Sequence, residues 1–125
     1  MPALHHIALG AQDIERLADF YQDFFALNAL KIHYDNDGEL RSIWLDLSPG
    51  ILMIEKSAHI NAPLEDMALG KGPFLLAFTI EEKDKEKLLQ KLTAQNLPLE
   101  GQTDFTLYFR DPEDNRVAIS WYALS

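Results

Sequence analysis

Cysteine is absent from this 125-residue chain. That absence excludes a disulfide scaffold, a thiol nucleophile and any thiolate metal site. Basic residues are scarce as well: 11 Lys and Arg stand against 20 Asp and Glu, for a formal charge of −9. A surface so poor in cations cannot release counterions from a phosphate backbone, so nucleic acid is excluded as a partner. An anionic membrane surface is disfavoured for the same reason. No stretch approaches the roughly 18–20 consecutive apolar residues that a bilayer span requires. The opening MPALHHIALG lacks the basic segment and long apolar core of a secretory signal, so a soluble cytoplasmic protein is expected.

Apolar residues at 47% and charged residues at 25% are ordinary globular values, and the length supports one domain. The charge reads first as solubility, and it also suits a cationic ligand.

Periodicity then divides the chain. His5-His6-Ile7-Ala8-Leu9, followed by Gly10, reads as a strand. Asp13 reads as an N-cap, although Arg16 stands where a capping box would place an acid. Ile14, Leu17, Phe20, Tyr21, Phe24 and Phe25 recur at spacings of three and four, which predicts an amphipathic helix to about residue 27. Strands are expected over 29–34 and 40–47, joined by the turn Asp35-Asn36-Asp37-Gly38, and over 51–55 after Ser48-Pro49-Gly50.

Residues 58–72 carry Pro63, Gly70 and Gly72 without periodicity and read as a linker. Beyond it come a strand over 73–80, a charged helix over 82–96 with Leu88, Leu89 and Leu92 inward, and strands over 97–102, 104–110 and 116–122. Each half is therefore βαβββ. At about 55 residues each half is small for an independent core, which favours one domain of module 1–57, linker 58–72 and module 73–125.

Two such modules, with the HHIAL opening, the DIERLADFYQDFFAL helix and the closing DPEDNRVAIS turn and strand, resemble the vicinal oxygen chelate superfamily. That group comprises glyoxalases, bleomycin-resistance proteins and extradiol dioxygenases. The resemblance implies an α+β fold whose two tandem βαβββ modules form a curved, barrel-like mixed sheet with a concave cup, and a homodimer.

In metal-dependent members four strands each supply one ligand to a divalent ion. The matching positions here are His6, Glu55, Leu75 and Ala118. Two of these are apolar, and a divalent site is usually held by at least three protein groups, so a metal cofactor is disfavoured. His5 points to the face opposite His6, while His33 and His59 fall in the second strand and the linker. By the strand period of two, Ala8, Met53, Leu75, Ala77, Thr79, Ala118, Ser120 and Tyr122 would line the cup with His6 and Glu55.

Three readings stand. The first is a glyoxalase- or bleomycin-resistance-like protein with an incomplete metal site that binds a small, partly apolar molecule. The second is a lyase, isomerase or epimerase that uses a metal on His6 and Glu55 with further ligands, or a metal-free His–Glu base. The third is a structural module with a filled cup.

Overall fold

The aromatic stripe of the first half folds as a helix, α1 (Ile14–Phe25), started by Asp13, whose carboxylate accepts from the Arg16 backbone N–H at 3.1 Å. The helix stops at Ala26, which takes the left-handed conformation (φ 56°). Its inner stripe of Ile14, Leu17, Ala18, Phe20, Tyr21 and Phe24 is buried, as the spacing predicts. The computed structural model describes residues 2–57 and 72–123, in two compact units that divide between residues 62 and 63. The linker and His59 lie outside the described residues, apart from Gly72.

In the first unit, β1 (His6–Ala11), β2 (Ala29–Tyr34), β3 (Leu40–Leu47) and β4 (Gly50–Lys56) form one mixed sheet in the order β1-β4-β3-β2. β1 and β4 run parallel, and the other neighbours are antiparallel. Ile43, Leu45, Leu52 and Ile54 are buried on one face with the α1 stripe. Burying such side chains stabilises the fold by about 1.5–3 kcal/mol each. The alternate residues of the same strands, among them Ser42, Trp44, Met53 and Glu55, occupy the opposite face.

Gly50 is the point where β4 meets the residues leading into β1. A side chain there would place its Cβ 2.8 Å from the Leu4 carbonyl oxygen, beside the bond that the Ile51 N–H donates to the His5 carbonyl at 3.0 Å.

The second unit repeats the plan with β5 (Leu76–Thr79), α2 (Lys85–Ala94, entered through a turn of 3-10 helix), β6 (Gly101–Gln102), β7 (Thr106–Arg110) and β8 (Arg116–Ser120). Its sheet order is β5-β8-β7-β6, and Leu107, Phe109, Val117 and Ile119 form its buried face. The strand expected over 97–102 shrinks to two residues, because Pro98 has no N–H to offer a ladder. The turn before β8 is organised by Asp111, only 1% exposed. Its carboxylate accepts from the backbone N–H groups of Glu113 and Asn115 and from the Asn115 side-chain amide. Among the described residues, no helix is long and apolar enough to cross a membrane.

Candidate functional site

Strand register decides which of the predicted residues meet. In the first unit the parallel pair sets His6 opposite Ile51, Ala8 opposite Met53 and Gly10 opposite Glu55. His6 and Glu55 thus share a face but stand four register positions apart, about 13 Å along the strands at ~3.3 Å per residue. His6 is exposed, and its Nδ1 lies 3.0 Å from Nδ1 of His5. No hydrogen bond joins His6 to Glu55.

The second unit has the same arithmetic. Ala77 stands opposite Ala118 and Thr79 opposite Ser120. With Ala8 equivalent to Ala77 in the repeat, Met53 is the counterpart of Ala118, and Glu55 is the counterpart of Ser120.

That register tests the four-ligand set which the sequence resemblance implies. Leu75 and Ala118 offer no donor atom, and Glu55 sits one alternation beyond the strand position level with Ala118. Among the described residues, no three His, Cys, Asp or Glu side chains are grouped so as to hold a metal ion. The described residues do not by themselves fit a bound divalent metal.

The predicted lining residues are placed unevenly. Ala8 is exposed and its partner Met53 half-buried; Leu75 is half-buried, while Ala77 and Thr79 are exposed. Ala118 is fully buried. The Ser120 hydroxyl donates to the Phe105 carbonyl at 3.1 Å, shares a 2.9 Å hydrogen bond with the Thr106 hydroxyl and accepts from the Tyr122 N–H at 3.2 Å. Tyr122, beyond β8, is 60% exposed and meets the Phe105 ring edge-on at 5.6 Å. A cleft at the first turn of α1, lined by Asp13, Glu15, Glu39 and Lys56 among others, holds none of the predicted residues.

The hairpin of the first unit brings Lys31, Ser42 and Trp44 to the face of Glu55, together with His33. Antiparallel pairing sets Ser42 opposite Glu55 and Trp44 opposite Met53, while β2 sets His33 opposite Ser42 and Lys31 opposite Trp44. Two rows therefore cross all four strands on the face away from α1: Gly10-Glu55-Ser42-His33 and Ala8-Met53-Trp44-Lys31. The His33 and Trp44 rings lie 4.6 Å apart, and the Lys31 ammonium stands 5.9 Å from the indole centroid. Extending the period-of-two reading from β4 into β3 would have put Ser42 and Trp44 on the same face as Glu55.

A family model described as Glyoxalase/Bleomycin resistance protein/Dioxygenase superfamily matches residues 3–119. No curated protein matches the chain in sequence. Among solved structures, a fosfomycin resistance protein, FosX, from Listeria monocytogenes superposes with a TM-score of 0.78 at 16% identity, covering 99% of this chain and 95% of that one. That structure is an E126Q mutant complexed with Mn(II) and 1S,2S-dihydroxypropylphosphonic acid. FosX from Mesorhizobium loti gives 0.74 at 15% identity over 99% and 94% of the two chains. A glyoxalase/dioxygenase from Nostoc punctiforme gives 0.71 at 18% identity over 94% and 88%. At these identities the likeness is one of fold.

Proposed function

This chain belongs to the Glyoxalase/Bleomycin resistance protein/Dioxygenase superfamily, and from that membership we propose that it is a small-molecule-binding member with an incomplete metal-ligand set. The observation that supports this reading is the donor set: of the four positions at which the family resemblance implies ligands, only His6 and Glu55 carry donor side chains, and they stand four register positions apart. What remains on the face opposite α1 is a mixed surface. Ala8, Ile51 and Met53 are apolar, with His6, Glu55, Ser42, Trp44 and His33 set among them. Such a composition suits a ligand with an apolar body and a few polar groups.

Metal analysis of protein purified without chelator tests this reading. The expected result is divalent metal well below one equivalent per chain. One equivalent, lost in His6→Ala, overturns it. Pairing into a homodimer belongs to the same reading through the resemblance, and sedimentation equilibrium checks it. A metal-free His–Glu base needs the two side chains in contact, and nothing in the first unit's register favours that alternative.

A further inference from the structure

The two units contain the same strand row built in two ways, and the difference between them points to a ligand. In the second unit the row Thr79-Ser120-Thr106 is closed on itself, because the Ser120 hydroxyl uses its donor and both acceptor positions within the protein. The equivalent row of the first unit is Gly10-Glu55-Ser42-His33.

Here Ser42 is 0% exposed, and its Oγ meets no hydrogen-bonding partner. Neither Nε2 of His33 nor Nε1 of Trp44 has a partner, and both atoms are buried. Each buried polar atom left unpaired has lost its water without a replacement, a cost that a ligand's hydrogen bond would remove. Three of them converge on one patch of one sheet face, while the matching patch in the sister unit shows that this fold can satisfy such a row.

We propose that His33, Ser42 and Trp44, with Glu55, form the polar recognition site for the small molecule, and that the group they recognise is a neutral carboxamide. The proposal rests on the small-molecule reading above. Its chemistry follows from the donor inventory. Indole Nε1–H only donates, a serine hydroxyl donates readily, and an ionised glutamate only accepts. Cross-strand neighbours such as Glu55 and Ser42 hold their Cβ atoms about 4.5–5.5 Å apart, so a bound group meets donors and an acceptor side by side.

A carboxamide offers a carbonyl oxygen to Trp44 and Ser42 and an N–H to Glu55. A carboxylate would face Glu55 with like charge, and an ammonium would leave the indole donor unanswered. Binding at this site requires the half-buried His33 and Trp44 side chains to give access to Ser42.

Titration of the full-length, 15N-labelled protein with benzamide and, separately, with benzoate tests the proposal. The chain has two tryptophans, so the Trp44 indole N–H signal is read against Trp121 as an internal control. Benzamide should shift the Trp44 signal saturably and leave Trp121 in place. Ser42→Ala should weaken that binding about tenfold, the equivalent of one hydrogen bond, and benzoate should bind at least tenfold more weakly.

An unmoved Trp44 signal at the solubility limit of benzamide overturns the proposal. So does benzamide affinity that is unchanged in Ser42→Ala, or benzoate binding as tight as benzamide. Each of these leaves the small-molecule reading standing on its own metal analysis, and one equivalent of metal in that analysis brings both down.

Discussion

Ser42→Ala should stabilise this protein, although it removes a polar group from a fully buried position. The side chain is 0% exposed and its hydroxyl is unpaired. Folding therefore strips the hydroxyl of water without replacing the bond, at about 1–3 kcal/mol. Alanine removes that cost. What is lost is the dispersion of one oxygen atom, at ~0.1–0.2 kcal/mol per contact, and a gap smaller than a methyl group. The net expectation is a gain of about 1 kcal/mol.

With a urea m-value of about 1–3 kcal/mol/M, the midpoint should rise by ~0.3–1 M. Trp44 fluorescence in a Trp121→Phe background follows the first unit separately. Ser120→Ala, followed through Trp121 in a Trp44→Phe background, is the matched control, since it leaves the Tyr122 N–H without its partner and the Phe105 carbonyl with the Trp121 N–H alone. Its midpoint should fall, by the equivalent of about 1–2 kcal/mol. If Ser42→Ala lowers stability as Ser120→Ala does, the Ser42 hydroxyl is satisfied in solution and the contrast between the two rows disappears.

Other substitutions probe the frame around the site. Asp111→Ala removes the acceptor that holds two backbone N–H groups and the Asn115 amide in the turn before β8. It should cost about 2–4 kcal/mol, read as a drop in the urea midpoint. Gly50→Ala drives a Cβ to 2.8 Å from a backbone oxygen that cannot swing aside. It should cost about 1–3 kcal/mol and move the amide signals of His5 and His6. Ala26 stands at φ 56°, a conformation that costs an L-residue roughly 1–2 kcal/mol. Ala26→Gly should therefore raise the thermal midpoint, corresponding to ~0.5–1 kcal/mol.

The parts of the fold legible in the sequence are those that local chemistry dictates. The α1 stripe, its Asp13 cap and the strands Ala29–Tyr34 and Leu40–Leu47 follow from spacing and turn residues alone. The repeat was visible because both halves open on a similar strand.

The site was only half legible. A period of two says which face a side chain occupies, but not which residue stands beside it across the sheet. Glu55 lies on the face away from α1, and its cross-strand neighbours there are Gly10 and Ser42 rather than His6. Irregular pairing along β2, between Ala29 and Lys31 and between His33 and Tyr34, sets the level at which His33 meets Ser42. Such irregularities arise from how the hairpin twists and leave no mark in the hydrophobic pattern.

Each sheet is closed by a parallel pair between the first and last strands of its own unit. His6 pairs with Ile51, 45 residues away, and Leu76 with Val117, 41 residues away. Contacts at such separation carry a loop-closure cost that grows with the logarithm of the intervening length, and they repay it only once the last strand has been made. During synthesis β1 therefore has no β4 to dock on until residue 56 has left the ribosome, and β5 waits in the same way for β8. Neither module can be shortened from either end without losing the partner of the strand at its other end. A cut in the tight turn between β2 and β3 separates the same partners, since β1 and β2 stand at opposite edges of the sheet and pair with β4 and β3. For anyone dividing this protein into fragments, the first sheet has to be taken whole, from β1 through β4.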